Sequence, residues 1–322
     1  MSKVIGIDIS KQKFDVCFLE GQSKTGDVFT NDLVGFKKLA KSISSSDHVV
    51  MEATGPYFLK LATYLVDTGY RVSVVNPLVI KHYSRMRMSR AKTDKKDAYL
   101  IACYGQGENP PLWSKQEEYI MQINQGLTLL QGFEKQITMN KNQIEALSVL
   151  PYCDKVALNA LRSVVSCLEK QVFKIEQHLQ EVVMTHYQDS YKALQTIPGI
   201  GPKASLLLIA VTGNFEKFTN SRQLISYLGL SPRIYESGTT VKSKAHICKM
   251  GMSKARRTLY MCSWTAKFHN PQCEALYQRL KEKGKPERLI KIAIANKLVR
   301  MAFAVGKSLS AYEKNYRANV CF

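Results

Sequence analysis

Between residues 161 and 182 the apolar side chains Leu161, Val165, Leu168, Val172, Ile175, Leu179 and Val182 recur at alternating spacings of four and three without a break. Heptads sustained over that length predict a long α-helix with a single apolar seam, which another helix has to cover. Residues 117–149 carry a weaker version through Ile120, Ile123, Leu127, Leu130, Ile137 and Ile144, and Pro151 separates the two. The pair reads as an antiparallel, coiled-coil-like helical arm over 111–190. The period alone leaves open whether the seam closes within one chain, between subunits, or on the body of its own domain.

The preceding segment has a different rhythm. VIGIDIS (4–10) and FDVCFL (14–19) are short β-rich runs joined by a polar KQK, a hairpin signal, and a third short strand is expected near Asp27–Thr30. Asp32 is placed to cap a helix running to Ile43. HVVMEATG (48–55) reads as a buried strand ending at Glu52, 57–68 as a helix, RVSVVN (71–76) as a strand, and Pro77 opens a further helix, with a last one starting near Asp94. The order β-β-β-α-β-α-β-α implies a mixed sheet carrying helices, an α/β domain over 1–110. From 191 to 322 the signals are mainly helical: IPGIGP (197–202) is a glycine turn between helices, and a Ser-, Thr- and Gly-rich loop precedes the terminal helices.

Charge is distributed unevenly along the chain. The formal net charge is +20, and residues 201–322 hold 22 Lys+Arg against six acids, a net +16. No carboxylate occurs between Glu236 and Glu274, where Lys242, Lys244, Lys249, Lys254, Arg256, Arg257 and Lys267 accumulate. A one-sided cationic field of this kind suits a polyphosphate partner. Eight scattered cysteines without a C-x-x-C pair, six histidines without zinc spacing, no long uncharged apolar stretch and no signal-peptide layout point to a cytoplasmic protein. They argue against a disulfide framework, a structural zinc site and a membrane span.

Four carboxylates stand out. Asp8 interrupts an apolar strand, Glu52 ends another, and Asp94 and Asp97, three apart, share one helix face. A charge in a strand pattern is costly unless it is paired or binds a cation. In a sheet that sets the first and fourth strands side by side, Asp8 and Glu52 are neighbours, and clustered oxygen ligands are what Mg²⁺ or Mn²⁺ requires. Singly, each has an ordinary reading, Asp94 as a helix cap and Asp97 as the partner of a lysine.

The motifs G-I-D-x-S-K with F-D-V (6–11 and 14–16), M-E-A-T-G (51–55), V-N-P (75–77) and K-T-D-x-x-D-A (92–98) resemble the RuvC-like, ribonuclease-H-fold domain of the DEDD transposases of insertion-sequence family one-ten, which includes the Piv-type DNA invertases. I-P-G-I-G-P, Y-L-G-L-S-P-R (227–233), Y-E-S-G (235–238) and Met252–Arg257 resemble that family's C-terminal transposase domain. The resemblance implies that Asp8, Glu52, Asp94 and Asp97 form a metal-binding tetrad. It also implies that Ser237 attacks a DNA phosphate to form a covalent phosphoserine link. By itself a serine before glycine is an ordinary turn residue, and Tyr235 is a rival nucleophile.

The glycine turn resembles a helix-hairpin-helix, although a tight interhelical turn needs glycine equally. The resemblance further implies a homo-oligomer, dimer or tetramer, with active sites completed between subunits. Its partners would be donor and target DNA and a structured guide (bridge) RNA, transcribed from the element's non-coding end. Lys81, Arg85, Arg87, Arg90 and Lys92 are candidates to contact such an RNA, and Lys242 to Arg257 to grip DNA. The reaction would take place at the bacterial nucleoid. Two other readings compete, a RuvC-like nuclease using metal-bound water and a non-catalytic nucleic-acid binder. An actin-like sugar kinase is disfavoured, because neither a duplicated fold nor a second glycine-rich phosphate loop is present.

Overall fold

The computed structural model describes residues 3–88, 93–233, 236–237, 241–242, 246–247 and 250–314. The chain divides into two compact units, 1–115 and 116–322.

In the first unit, β1 (Val4–Ile9), β2 (Lys13–Glu20) and β3 (Ser23–Thr30) form an antiparallel meander, and β4 (His48–Glu52) and β5 (Arg71–Val75) extend it in parallel, giving the order β3-β2-β1-β4-β5. The mixed sheet is as the sequence predicts. The third strand begins at Ser23, earlier than expected; its polar first half is exposed on the sheet edge, so it carries no apolar alternation and is held by pairing to β2.

Alternate side chains of each strand serve opposite faces. Ile5, Ile7, Ile9, Phe14, Val49 and Met51 bury one face against α1 (Leu33–Ser42) and α2 (Phe58–Asp67). On the other, Cys17 and Leu19 pack with Ala98 and Ala102, and Val50 and Val75 with Ile80 and Ile101. Those helical residues belong to α3 (Pro77–Met86) and α4 (Asp94–Glu108). The starts of the helices follow local chemistry. Asp32 accepts from Gly35 N at 2.9 Å, Asn76 caps α3 ahead of Pro77, and Thr93, not Asp94, caps α4.

Gly6 sets the fit of α4. A Cβ built there would lie 2.1 Å from the Ala98 carbonyl oxygen and 2.3 Å from Ala102 N. Backbone thus rests on backbone, and no other residue type allows it.

In the second unit, α5 (Glu118–Ser148) and α6 (Lys155–His186) run antiparallel, with Lys203 held 2.7 Å from Glu176 and 3.4 Å from Glu134 across them. The heptad seam closes within the chain. Val165, Leu179 and Val182 are buried and Leu161, Leu168, Val172 and Ile175 half-buried, and Ile120, Ile123, Leu127 and Leu130 share one core with Val172, Ile175, Leu179 and Val182. At about 1.5 Å per residue the two helices are about 45 Å long. Their roots join a core with α7 (Gln188–Gln195), α8 (Pro202–Thr212), α9 (Ser221–Tyr227), α10 (Ser253–His269), α11 (Pro271–Glu282) and α12 (Glu287–Ser308). Gly199 in the turn before α8 has φ +104°, and a Cβ there would meet that of Ala266 at 2.6 Å, so packing alone accounts for this glycine.

The segment read as a loop contains short antiparallel ladders. β6 (Pro232–Arg233) pairs with β9 (His246–Ile247), and β7 (Glu236–Ser237) with β8 (Val241–Lys242). Strands of two residues are too short to show alternation in sequence. No helix among the described residues is long and apolar enough to cross a membrane.

Candidate active site

The parallel alignment of β1 and β4 ends with Ile7 opposite Met51, so Asp8 and Glu52 are the next residues along, at the carboxyl ends of adjacent strands. Both belong to the face that carries Gly6 and Val50, the face covered by α4. With α4 seated on Gly6, its first turn, bearing Asp94 and Asp97, comes to the same corner of the sheet. Strand periodicity, strand order and one glycine thus bring four acids from three elements into each other's field.

The electrostatics reflect this. The Asp8 carboxyl is raised to about 6, first by burial and then by the negative charges of Asp97, Glu52, Asp94 and Asp15. Sequence reasoning missed Asp15. It stands directly opposite Asp8 across the β1–β2 ladder and is almost fully buried. It also missed Lys13, whose ammonium lies 3.4 Å from Asp15 and 3.5 Å from Asp94. The F-D-V motif named Asp15, but only the register reveals what it faces. The Thr54 hydroxyl lies at 3.5 Å from Glu52 Oε1.

As their side chains stand, no three histidine, cysteine or carboxylate groups among the described residues are arranged to ligate one ion. The donor set itself fits a hard divalent cation. It is all oxygen, and such a cation would offset both the burial and the mutual repulsion that raise Asp8. Holding an ion would require these side chains to close together.

Comparison with known proteins decides the family. A transposase model of the DEDD, IS110 type matches residues 5–150, and one described as transposase IS116/IS110/IS902 family matches 191–278. The chain is 34% identical to a pilin gene-inverting protein of Moraxella lacunata over 98% of its own length and 99% of the relative's. It is 33% identical to the Moraxella bovis protein of the same name over the same shares. It is also 25% identical to the transposase for insertion sequence element IS1111A of Coxiella burnetii, over 73% of this chain and 70% of the relative. The chain belongs to the IS110 family of transposases. It is a DNA transposase/recombinase, and its family implies use of a divalent metal.

Ser237, Tyr235 and the cations expected to grip DNA belong to the unit 116–322 of the transposase, and the cations expected to contact RNA to the unit 1–115. Ser237 is in β7, its backbone paired to Val241. Tyr235, Lys244, Lys249, Arg90 and Lys92 lie outside the described residues, and for Lys242 the strand alone is described. Two cations expected to grip DNA are engaged internally. Lys254 donates to the carbonyl of Leu127, burial lowering its pKa, and Arg256 Nη1 donates to Leu228 O at 3.1 Å. Arg257 is exposed, as are Lys81 and Arg85 on α3. Arg87 folds its guanidinium back onto the Tyr83 hydroxyl at 3.0 Å.

Proposed function

We propose that the transposase exchanges DNA strands through a covalent phosphoserine link, with Asp8, Glu52, Asp94 and Asp97 holding Mg²⁺ or Mn²⁺ in a RuvC-like domain and Ser237 as nucleophile. The observation that carries the reading is the acidic corner, where a half-buried Asp8 is held at about 6 by burial and four neighbouring acids. Folding does not reward such a concentration of like charge, and this marks the corner as a functional-site candidate. When bound, the cation supplies charge stabilisation for a phosphate undergoing in-line displacement. In the exchange, the Ser237 hydroxyl loses its proton, its Oγ bonds to phosphorus, and the bond from phosphorus to the leaving deoxyribose oxygen breaks, that oxygen taking up a proton. One phosphoester replaces another. Reversal onto the oxygen of a second strand therefore completes the exchange without an external energy source.

In this reading a structured guide RNA from the element's non-coding end selects donor and target by base pairing. Family membership supports it, and so do the exposed cations Lys81 and Arg85 on the unit that carries the acids. The four acids lie within 1–115 and Ser237 within 116–322. In this reading the acids and the serine that act together come from different protomers of a dimer or tetramer.

The chemistry is tested by denaturing electrophoresis after reaction of a labelled donor in Mg²⁺. Wild type and Tyr235→Phe are expected to carry DNA on the protein, and Ser237→Ala and chelated wild type to lose that band. If no adduct forms and Ser237→Ala cuts at an undiminished rate, the enzyme is a nuclease that hydrolyses DNA directly.

A further inference from the structure

Helix α10 exposes Met261, Trp264 and Phe268, at 60%, 45% and 68% of their surfaces. The spacings of three and four put them on one face of the helix. Single exposed apolar residues are ordinary, but this stripe is backed by charge.

Lys291 of α12, itself only 4% exposed, sets its ammonium 3.2 Å from the centre of the Trp264 ring. The Lys267 ammonium lies 4.5 Å from the Phe268 ring and 4.9 Å from that of Tyr277. Both ammoniums share one carboxylate, Glu287, at 3.2 and 3.3 Å, and the Tyr277 hydroxyl donates to its other oxygen at 2.9 Å. Two cations on one anion leave a net positive charge beneath the aromatic stripe, and α10 contains no acidic residue.

The cation under Trp264 has two effects. It pins the indole, so presenting the ring costs little conformational entropy, and it covers one face of a side chain that keeps 45% of its surface exposed. A flat aromatic surface with a fixed positive charge beside it matches a nucleobase attached to a phosphate, because every base has a π-face and every nucleotide an anion. A purely apolar protein surface would have to desolvate the Lys267–Glu287 pair on docking, with no charge to offer in return. The complement on both counts is a strand of nucleic acid whose bases are unstacked.

We propose that Met261, Trp264 and Phe268 form a stacking platform for unpaired bases of the DNA that this transposase recombines. The inference rests on the strand-exchange reading, since strands that change partners pass through an unpaired state. Duplex DNA offers only its edges and backbone, so the platform discriminates between opened and closed DNA.

The test is fluorescence anisotropy of a labelled oligonucleotide with the full chain in EDTA, where no strand is cut. Single-stranded DNA and the duplex of the same sequence are titrated in parallel against wild type, Trp264→Ala, Trp264→Phe and Phe268→Ala. The ratio of single-strand to duplex affinity is expected to fall at least about fivefold in each alanine variant and to recover most of its value in Trp264→Phe. Quenching of indole emission by the single strand is expected in wild type and absent from Trp264→Ala. Should loss of the ring beside Lys291 unfold that variant, Phe268→Ala and Met261→Ser carry the same comparison from more exposed positions.

An unchanged ratio overturns the proposal. So does tighter binding of RNA than DNA of one sequence, or loss of self-association in sedimentation with DNA affinity intact. The assay needs neither the carboxylates nor Ser237, so a failed platform leaves the recombinase reading standing. Retained stacking with absent adducts sinks only the latter.

Discussion

At neutral pH Asp8 ionises in a half-buried position facing the charges of Asp97, Glu52, Asp94 and Asp15, with a pKa held near 6 against 3.8 in the unfolded chain. Between those two values the folded protein binds more protons than the unfolded one, so metal-free stability falls as pH rises through that window. Asp8→Asn removes the repelled charge. It is expected to raise the melting temperature of the EDTA-treated protein at pH 8, by on the order of 1 kcal/mol or roughly 2–4 °C after allowance for solvent screening. The gain should shrink at pH 4, while cleavage in Mg²⁺ falls at least about 100-fold. Thermal denaturation at both pH values, beside a cleavage assay, decides it, and an equal or lower melting temperature at pH 8 refutes the account. The sequence made Asp8 conspicuous because a carboxylate in an apolar strand needs a reason. It could not show Lys13 bridging Asp15 and Asp94, since that pairing depends on the register of β1 with β2 and on where α4 lands.

Among the elements, α4 is tied most directly to the chemistry, and Gly6 controls its seat. Gly6→Ala places a methyl against the Ala98 and Ala102 backbone, which cannot yield as a flexible side chain would. It is expected to destabilise the protein by about 3 kcal/mol and, by lifting Asp94 and Asp97 away from Asp8, to slow cleavage about 100-fold. Denaturant unfolding and single-turnover cleavage measure the two effects. In the α5–α6 hairpin, Leu179→Ala is expected to cost about 2–5 kcal/mol and the exposed Phe173→Ser under about 0.5 kcal/mol, read from the same unfolding curves. The two helices were legible from their seam, because a 3.5-residue period survives any context. Which partner the seam takes was not, for the period is the same within or between chains. Capping was equally legible at Asp32, whose side chain acts on its own first turn, whereas Asn76, read as the end of a strand, caps the helix that Pro77 opens. The contact of Lys291 with Trp264 was not, because it joins residues of different helices.

For the molecule as a whole, the acids belong to the unit 1–115 and the serine to the unit 116–322. If sites are completed between protomers, mixing Asp8→Ala with Ser237→Ala protein, each inactive alone, should restore part of the recombination. Some assemblies then hold an intact tetrad beside an intact serine. A dead mixture, with co-assembly verified by pull-down, means that each site is built within one chain.

The sheet order also has a consequence in time. The β1–β2–β3 meander joins neighbours in sequence, and a chain still being synthesised can close it before residue 48 exists. Asp8 meets Glu52 only through the parallel pairing of β1 with β4, and meets Asp94 and Asp97 only once α4 has come back over Gly6. Non-local pairings of that kind close late, because loop entropy is lost before the contacts form. A nascent or truncated chain therefore folds a sheet edge long before it can gather a cation, and its capacity to cut DNA arrives last.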